Sequence, residues 1–520
     1  MRRIHLLWAL CGLLAAGCMN MAGYERGATV SYKEALKQKD DLVGLVEQEL
    51  EQGHTARAYH AFELLRTRAF VARSIASKKA KKGAPRVTAE YRDVRDLFEK
   101  AYLASSGATG GTSRGLGGVR AARKQALQKA RAVDDELFWK DFRKTEKRLK
   151  AYEETMSYTE LKYRAIFKDR YVVVSELDTR LTLSLDEAAL EFFVGRKKAY
   201  AFVLTARKIT AHEIPLAPAE LAAGVRDLVG KLAGGEQGWD APARKLDAAL
   251  IQPLVAELEG VHSLFIVPHG VLGQLPFGVL LSGDGPEAML LARYRLTYLP
   301  SYSVLKSIHS RPLPAKAPRL LAIGNPKSPW AEGIGLKPLA AAEREAETVA
   351  AVFDGSALLR GAKATESSLM QRYGQYNILH FATHGLLSAG DPSASNLLLA
   401  EESGSDGLLT AAEIAAMKLT GKYVVVLSAC ETAVTSDAAA ADDLGSLTGA
   451  FLLAGAPAVV GSFWQVDDAS TTELMLGFYE KFLELGTSEA LRQAQLALAA
   501  QEGYAHPYYW AAFALFGFDK

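Results

Sequence analysis

"YVVVLSACETA" (residues 423–433) is the stretch on which the reading of the fold turns. Four apolar residues, Val424 to Leu427, run into Ser428, Ala429 and Cys430 before the chain becomes polar. A run this short, apolar and β-branched reads as a strand buried on both faces of a sheet, with Cys430 at its end. Similar runs stand at 171–174, 199–204, 263–268, 319–324, 376–385 and 458–464. Helical patterns separate several of them, at 217–233, 241–259, 340–353, 365–373, 410–416 and 443–455. Strands alternating with helices predict an α/β domain with a mostly parallel sheet flanked by helices.

In such sheets functional groups gather at the C-terminal ends of strands. Two ends carry reactive side chains: His384-Gly385 closing "YNILHFATHG" (376–385), and Cys430, 46 residues later. One crossover between two parallel strands can make their ends neighbours. A thiol becomes a nucleophile when an imidazole or a helix N-terminus raises its thiolate fraction. The N–H groups of Gly385 and Cys430 could then form an oxyanion hole. The plainer reading of Cys430 is a small buried hydrophobe, and position alone leaves both open. His380 and His384 share a strand face at i and i+4, but no third ligand stands at metal spacing, so no metal is expected and His380 reads as a packed strand residue.

Outward from this core the organisation changes. The 520 residues suffice for two to four domains, and 49% hydrophobic with 23% charged residues is ordinary for a globular chain. A net charge of +2 gives no reason to expect nucleic acid as a partner, and the basic run at 77–86 reads as a solvated surface. Residues 31–103 and 121–168 read as helical, with a helical hairpin turning at Gly53-His54-Thr55. Residues 104–120 form a Gly/Ser-rich loop or linker, whose "GLGG" follows no strand and lacks the third glycine of a dinucleotide loop.

The N-terminus, "MRRIHLLWALCGLLAAGC", has two arginines, an apolar core and small residues before Cys18, as a secretory leader does. Its ending resembles the lipobox of bacterial lipoproteins. That resemblance implies a signal peptide at 1–17, lipidation of Cys18 and a tether at 18–30. The chain would then be held by its lipid on a bacterial envelope membrane, the outer membrane facing the periplasm if the cell is Gram-negative. The chain has three cysteines, and removal of Cys11 with acylation of Cys18 would leave Cys430 as the one free thiol.

From "NILHFATHG" through "SNLLLA", "DGLLTAAEIAAMKL", "VVVLSACETA" and "AFLLAGAPAVVGSFWQVDDASTTELMLGFYEKFL" to "HPYYWAAFALFG", the chain resembles the CHAT domain family, bacterial relatives of caspases and separases. The resemblance implies a caspase-like domain over 170–520, preceded by helices akin to tetratricopeptide arrays. It implies a peptidase dyad in which Cys430 attacks the scissile carbonyl and His384 handles the proton, with Gly385 and Cys430 N–H groups on the oxyanion and no cofactor. Several relatives cleave after Arg or Lys. Asp442, Asp443, Asp467 and Asp468 are the candidate acids for such a pocket, although Asp468 and its neighbours could instead cap the helix beginning near Ser470. The chain departs from the family after the cysteine, where "VTSDAAAADDLGSLTG" replaces a glycine-rich stretch.

Expected partners are a protein or peptide substrate, the membrane through the lipid anchor, and a regulatory protein on the N-terminal helices. A non-catalytic scaffold on the same fold is the alternative. A redox sensor is disfavoured because no resolving cysteine accompanies Cys430.

Overall fold

The computed structural model describes residues 39–56, 58–59, 61–63, 182–285, 287–302, 305, 314, 317–328, 331, 339–387, 395–403, 405–429, 446–465 and 467–518. By internal contacts the chain divides into two units, Met1–Gly44 with Pro85–Tyr171, and Leu45–Ala84 with Val172–Lys520. The second unit holds the sheet. The expected strand at 171–174, the linker at 104–120 and the helices of 121–168 lie outside the described residues.

The fold is α/β, as expected. An 11-stranded sheet forms its centre. Its strands are β1 (Glu187–Val194), β2 (Ala199–Thr205), β3 (Ile209–Ile214), β4 (Ser263–Val267), β5 (Arg295–Tyr298), β6 (Leu320–Pro326), β7 (Ala357–Gly361), β8 (Ile378–Ala382), β12 (Val424–Ser428), β13 (Ala458–Ser462) and β14 (Phe513–Gly517). The order across the sheet is β3-β2-β1-β4-β5-β14-β13-β12-β8-β6-β7. Neighbours are parallel except at the hairpins β1–β2 and β2–β3 and at β13–β14. A small antiparallel sheet of β9 (Gly385–Leu386), β10 (Asn396–Leu398) and β11 (Leu408–Thr410) follows β8 directly.

Helices cover both faces, which is why the central strands read as unbroken apolar runs. Side chains alternate between faces along a strand. On β8, His380 meets α4 (Ala340–Ala350) and α7 (Asp468–Leu485) on one face. Phe381 meets Phe451 of α6 (Ser446–Ala454) on the other, with ring centroids 5.5 Å apart. Gly324 of β6 sets how closely α4 can approach: a Cβ there would stand 2.7 Å from the Ala346 Cβ. In α2 (Pro218–Ala233), Pro218 opens the first turn, and Leu221, Val225, Leu228 and Leu232 form the buried stripe that helical spacing requires. α3 (Asp240–Leu250) stops earlier than its pattern suggested, and residues Gln252–Glu257 continue as a tighter 3-10 turn after Ile251. Further helices among the described residues are α1 (Lys39–Glu51), α5 (Glu366–Arg372) and α8 (Thr487–Ala499), with short turns of helix at Leu290–Arg293 and Ala411–Ile414.

The helical hairpin is present at its turn, where Gly53 takes φ 73°. Its second arm docks on the outer strands of the sheet. Tyr59 donates to Glu191 Oε2 at 2.6 Å. Phe62 lies edge-on to Phe193 at 5.1 Å and to His269 at 5.3 Å. Burial and the neighbouring Glu191 carboxylate hold the Tyr59 hydroxyl well above its ordinary pKa, so it stays a donor.

A candidate active site at two neighbouring strand ends

β8 and β12 are adjacent and parallel. Their register runs from Ile378 opposite Val424 to Ala382 opposite Ser428. His384 stands two positions beyond Ala382, and Cys430 two positions beyond Ser428 in the sequence. The strand that ends before the histidine and the strand that ends before the cysteine are therefore direct neighbours, level at their last paired residues.

The histidine end is fully described. β8 stops at Ala382, and the chain bends through Thr383 into β9 rather than running on to 385 as the apolar pattern suggested. The cause is local. Buried Thr383 donates its hydroxyl to the Leu398 carbonyl at 2.6 Å, and Leu398 N–H donates to the His384 carbonyl at 2.9 Å. These two bonds tie the histidine's backbone to β10. His384 and Gly385 are half-buried, reachable from outside while their main chain is held.

The cysteine end is described up to Ala429, which is 7% exposed. Ser462, the last residue of β13, is 1% exposed and donates its hydroxyl to the Ala429 carbonyl at 2.6 Å. Cys430, Asp442 and Asp443 lie outside the described residues, as does Cys18. Asp467 is the N-cap of α7: its Oδ2 accepts from Ala469 N–H at 3.1 Å and Ser470 N–H at 3.0 Å. The carboxylate thus meets the orphan donors of a helix start. Asp468 is the first residue of that helix.

His380 does something different from His384. It is fully buried, with Nε2 3.1 Å from Glu345 Oε1, an ion-pair distance without hydrogen-bond alignment. Its Nδ1 shares a hydrogen bond of 3.1 Å with the Tyr479 hydroxyl. Burial, with the Glu345 charge behind it, holds the Tyr479 phenol well above its ordinary range. Among the described residues no group of three His, Cys, Asp or Glu side chains is gathered to hold a metal, and no helix is long and apolar enough to cross a membrane.

At the opposite end of β12, buried Lys422 donates from Nζ to the Tyr373 carbonyl at 2.6 Å and to the Tyr376 carbonyl. Burial pushes its ammonium down to about 8. Neither this lysine nor the hydroxyls of Thr383 and Ser462 stand out in the sequence. The strand-end rule that singles out His384 and Cys430 applies equally to Ser462, which closes "PAVVGS".

The CHAT domain family model matches residues 240–518, more than half of the chain, and the chain belongs to that family. Among curated proteins it is similar to Tetratricopeptide repeat protein 28 of Homo sapiens, 32% identical, the match covering 52% of this chain and 13% of that protein. The Mus musculus protein of the same name is 31% identical over the same shares. The chain thus spans 13% of the length of these curated relatives. Among solved structures it is similar to separase in the Saccharomyces cerevisiae separase-securin complex, with TM-score 0.46 and 13% identity over 67% of this chain and 31% of that one. It is also similar to the Arg specific cysteine proteinase gingipain R, with TM-score 0.36 and 9% identity over 57% of this chain and 75% of that one.

Proposed function

We propose that this chain is a cysteine endopeptidase, lipid-anchored through Cys18 to a bacterial envelope membrane, that cleaves protein substrates after basic residues. Its family membership supports a cysteine-peptidase fold. The observation that carries the reading is the level register of β8 and β12, which sets the residues before His384 and before Cys430 side by side.

In this mechanism Cys430 Sγ gives its proton to His384 and attacks the scissile carbonyl, forming a thioester as the peptide C–N bond breaks. His384 protonates the leaving amine. It then takes a proton from water, whose oxygen attacks the thioester and releases the acid and the thiol. Gly385 N–H and Cys430 N–H hold the oxyanion in both steps. An acid among Asp442, Asp443, Asp467 and Asp468 receives the basic side chain, and the helical region before the domain gates access and binds a regulatory protein.

The test is labelling with an acyloxymethyl ketone carrying Arg or Lys, read by mass spectrometry beside the Cys430→Ala and His384→Ala variants. Labelling at Cys430 that requires His384 is expected. A Cys430 that resists the ketone and even a small alkylator would overturn the reading in favour of a scaffold.

A further inference from the structure

The parallel ladders on either side of β8 end at Ala382, which pairs with Gly324 of β6 and with Ser428 of β12. His384 stands two residues beyond that level, where a chain leaving its sheet opens most readily. One residue of the small sheet meets the chain there twice. The Thr383 hydroxyl donates to the Leu398 carbonyl at 2.6 Å, and the Leu398 N–H donates to the His384 carbonyl at 2.9 Å. Leu398 is itself fixed. It pairs with Leu408 of β11, and the next two residues are held as well, Leu399 N–H donating to the Gly407 carbonyl at 2.7 Å and Ala400 N–H to the Ala364 carbonyl at 2.9 Å. Thr383 and Leu398 are each 1% exposed, so solvent does not compete for the hydroxyl bond.

One bond to a main-chain carbonyl lets the chain swing about it. A second bond, from the preceding residue to the same partner, removes that freedom. Threonine suits the task because its β-branched side chain is stiff about χ1, so hydroxyl and main chain move together. The geometry points to Thr383 as a positioning residue that holds the His384 main chain, and with it the imidazole, in place beyond the end of β8. This rests on the peptidase reading above. Thr383 acts through His384 and takes no part in the proton transfer itself. That transfer tolerates little displacement, since misplacement by about 1 Å can cost about a hundredfold in rate.

A residue that works through another has no effect once the other is gone. Losing the Thr383 hydroxyl should therefore slow both hydrolysis and alkylation of Cys430 by iodoacetamide while His384 is present, because both depend on the imidazole drawing the thiol toward thiolate. In a chain that already carries His384→Ala the same loss should leave alkylation unchanged. A merely structural residue would act alike in both backgrounds.

The experiment uses the full chain with Thr383→Val, which keeps the shape and loses the hydroxyl, with Thr383→Ser, which keeps the hydroxyl, and with each of these combined with His384→Ala. Hydrolysis is followed on peptide amides representing all residue types before the scissile bond, with iodoacetamide alkylation and thermal unfolding measured in parallel. Thr383→Val should lower kcat by about tenfold to a hundredfold, with KM near that of the unaltered chain, and should slow alkylation. Thr383→Ser should recover most of both losses. With His384→Ala in place, Thr383→Val should leave the alkylation rate where it was. If Thr383→Val does not fold, Thr383→Ala against Thr383→Ser makes the same comparison. An unchanged kcat on losing the hydroxyl overturns the inference and leaves the peptidase reading standing. So does equal slowing of alkylation in both backgrounds without rescue by Ser, which marks a merely structural residue. An unaltered chain that hydrolyses none of the peptides while Cys430 alkylates overturns the peptidase reading, and the inference with it.

Discussion

The two ends of the β8–β12 pair are built on opposite plans. At the N-terminal end a lysine is buried to close the structure: Lys422 spends its donors on the carbonyls of Tyr373 and Tyr376. At the C-terminal end neutral hydroxyls, Thr383 and Ser462, hold the backbone, and the ionisable side chain is left half-buried at His384. A charge consumed in sealing one end contrasts with a titratable ring kept within reach of solvent at the other. The same contrast runs along β8, where His380 is enclosed by Glu345 and Tyr479 and His384, four residues on, is not.

Exchanging the two histidines for alanine is the strongest way to break that comparison. His384→Ala should lower kcat/KM by about a thousandfold with little change in unfolding temperature. His380→Ala should instead destabilise by about 3–5 kcal/mol, because it leaves Glu345 buried beside no imidazole. Peptide hydrolysis and thermal unfolding, measured on both variants, separate the roles; equal stability losses would erase the distinction.

Lys422 sharpens the comparison from the other end. Its folded pKa of about 8 lies below the ordinary 10.5. Between those values the unfolded chain holds a proton that the folded chain has released, so this group adds stability as pH rises through that window. Below about 8 both states hold the proton and its contribution is flat. Lys422→Met should remove that pH dependence and cost about 1–3 kcal/mol at neutral pH, because the Tyr376 carbonyl loses its ammonium donor and the Tyr373 carbonyl keeps only the Tyr376 N–H. Denaturant unfolding from pH 7 to 10 reads both effects; an unchanged slope would mean the ammonium stays charged throughout.

The smallest effect belongs to Asp467. Asp467→Ala should cost about 1 kcal/mol, and Asp467→Asn much less, because asparagine also caps a helix. Asn removes the charge and keeps the cap. A fall in kcat/KM for Arg substrates in Asp467→Asn would assign the carboxylate a second task, whereas an unchanged value would confine it to α7.

How much of this was legible depends on which interactions are local. β2, β4, β6, β8, β12 and β13 are visible as apolar runs because both faces are covered, and α2 because its stripe and Pro218 agree. β3 and β7 stand at the edges of the sheet, where the apolar pattern weakens, and neither is marked by it. β14 is hidden for another reason: nothing within "FALFG" tells that it will enter between two distant strands, antiparallel to one and parallel to the other. His384 is conspicuous in the sequence because it directly follows the apolar run of β8, though a histidine there is by itself no evidence of a role. Thr383 and Ser462 are not, since a hydroxyl there resembles any turn residue until its acceptor, 15 or 33 residues away, is placed beside it.

The position of β14 has a consequence for the order of events during synthesis. Strands β1 to β5 form one half of the sheet and β6, β7, β8, β12 and β13 the other, and β14 alone joins them. A ribosome has already released both His384 and Cys430 from its tunnel before residues 513–517 are made. Until then β13 is an open edge, and Ser462 has no Phe513 beside it. A chain that carries His384 and Cys430 but not residues 513–517 thus lacks the strand that joins the two halves of the sheet, and its open β13 edge is exposed to pairing with other chains.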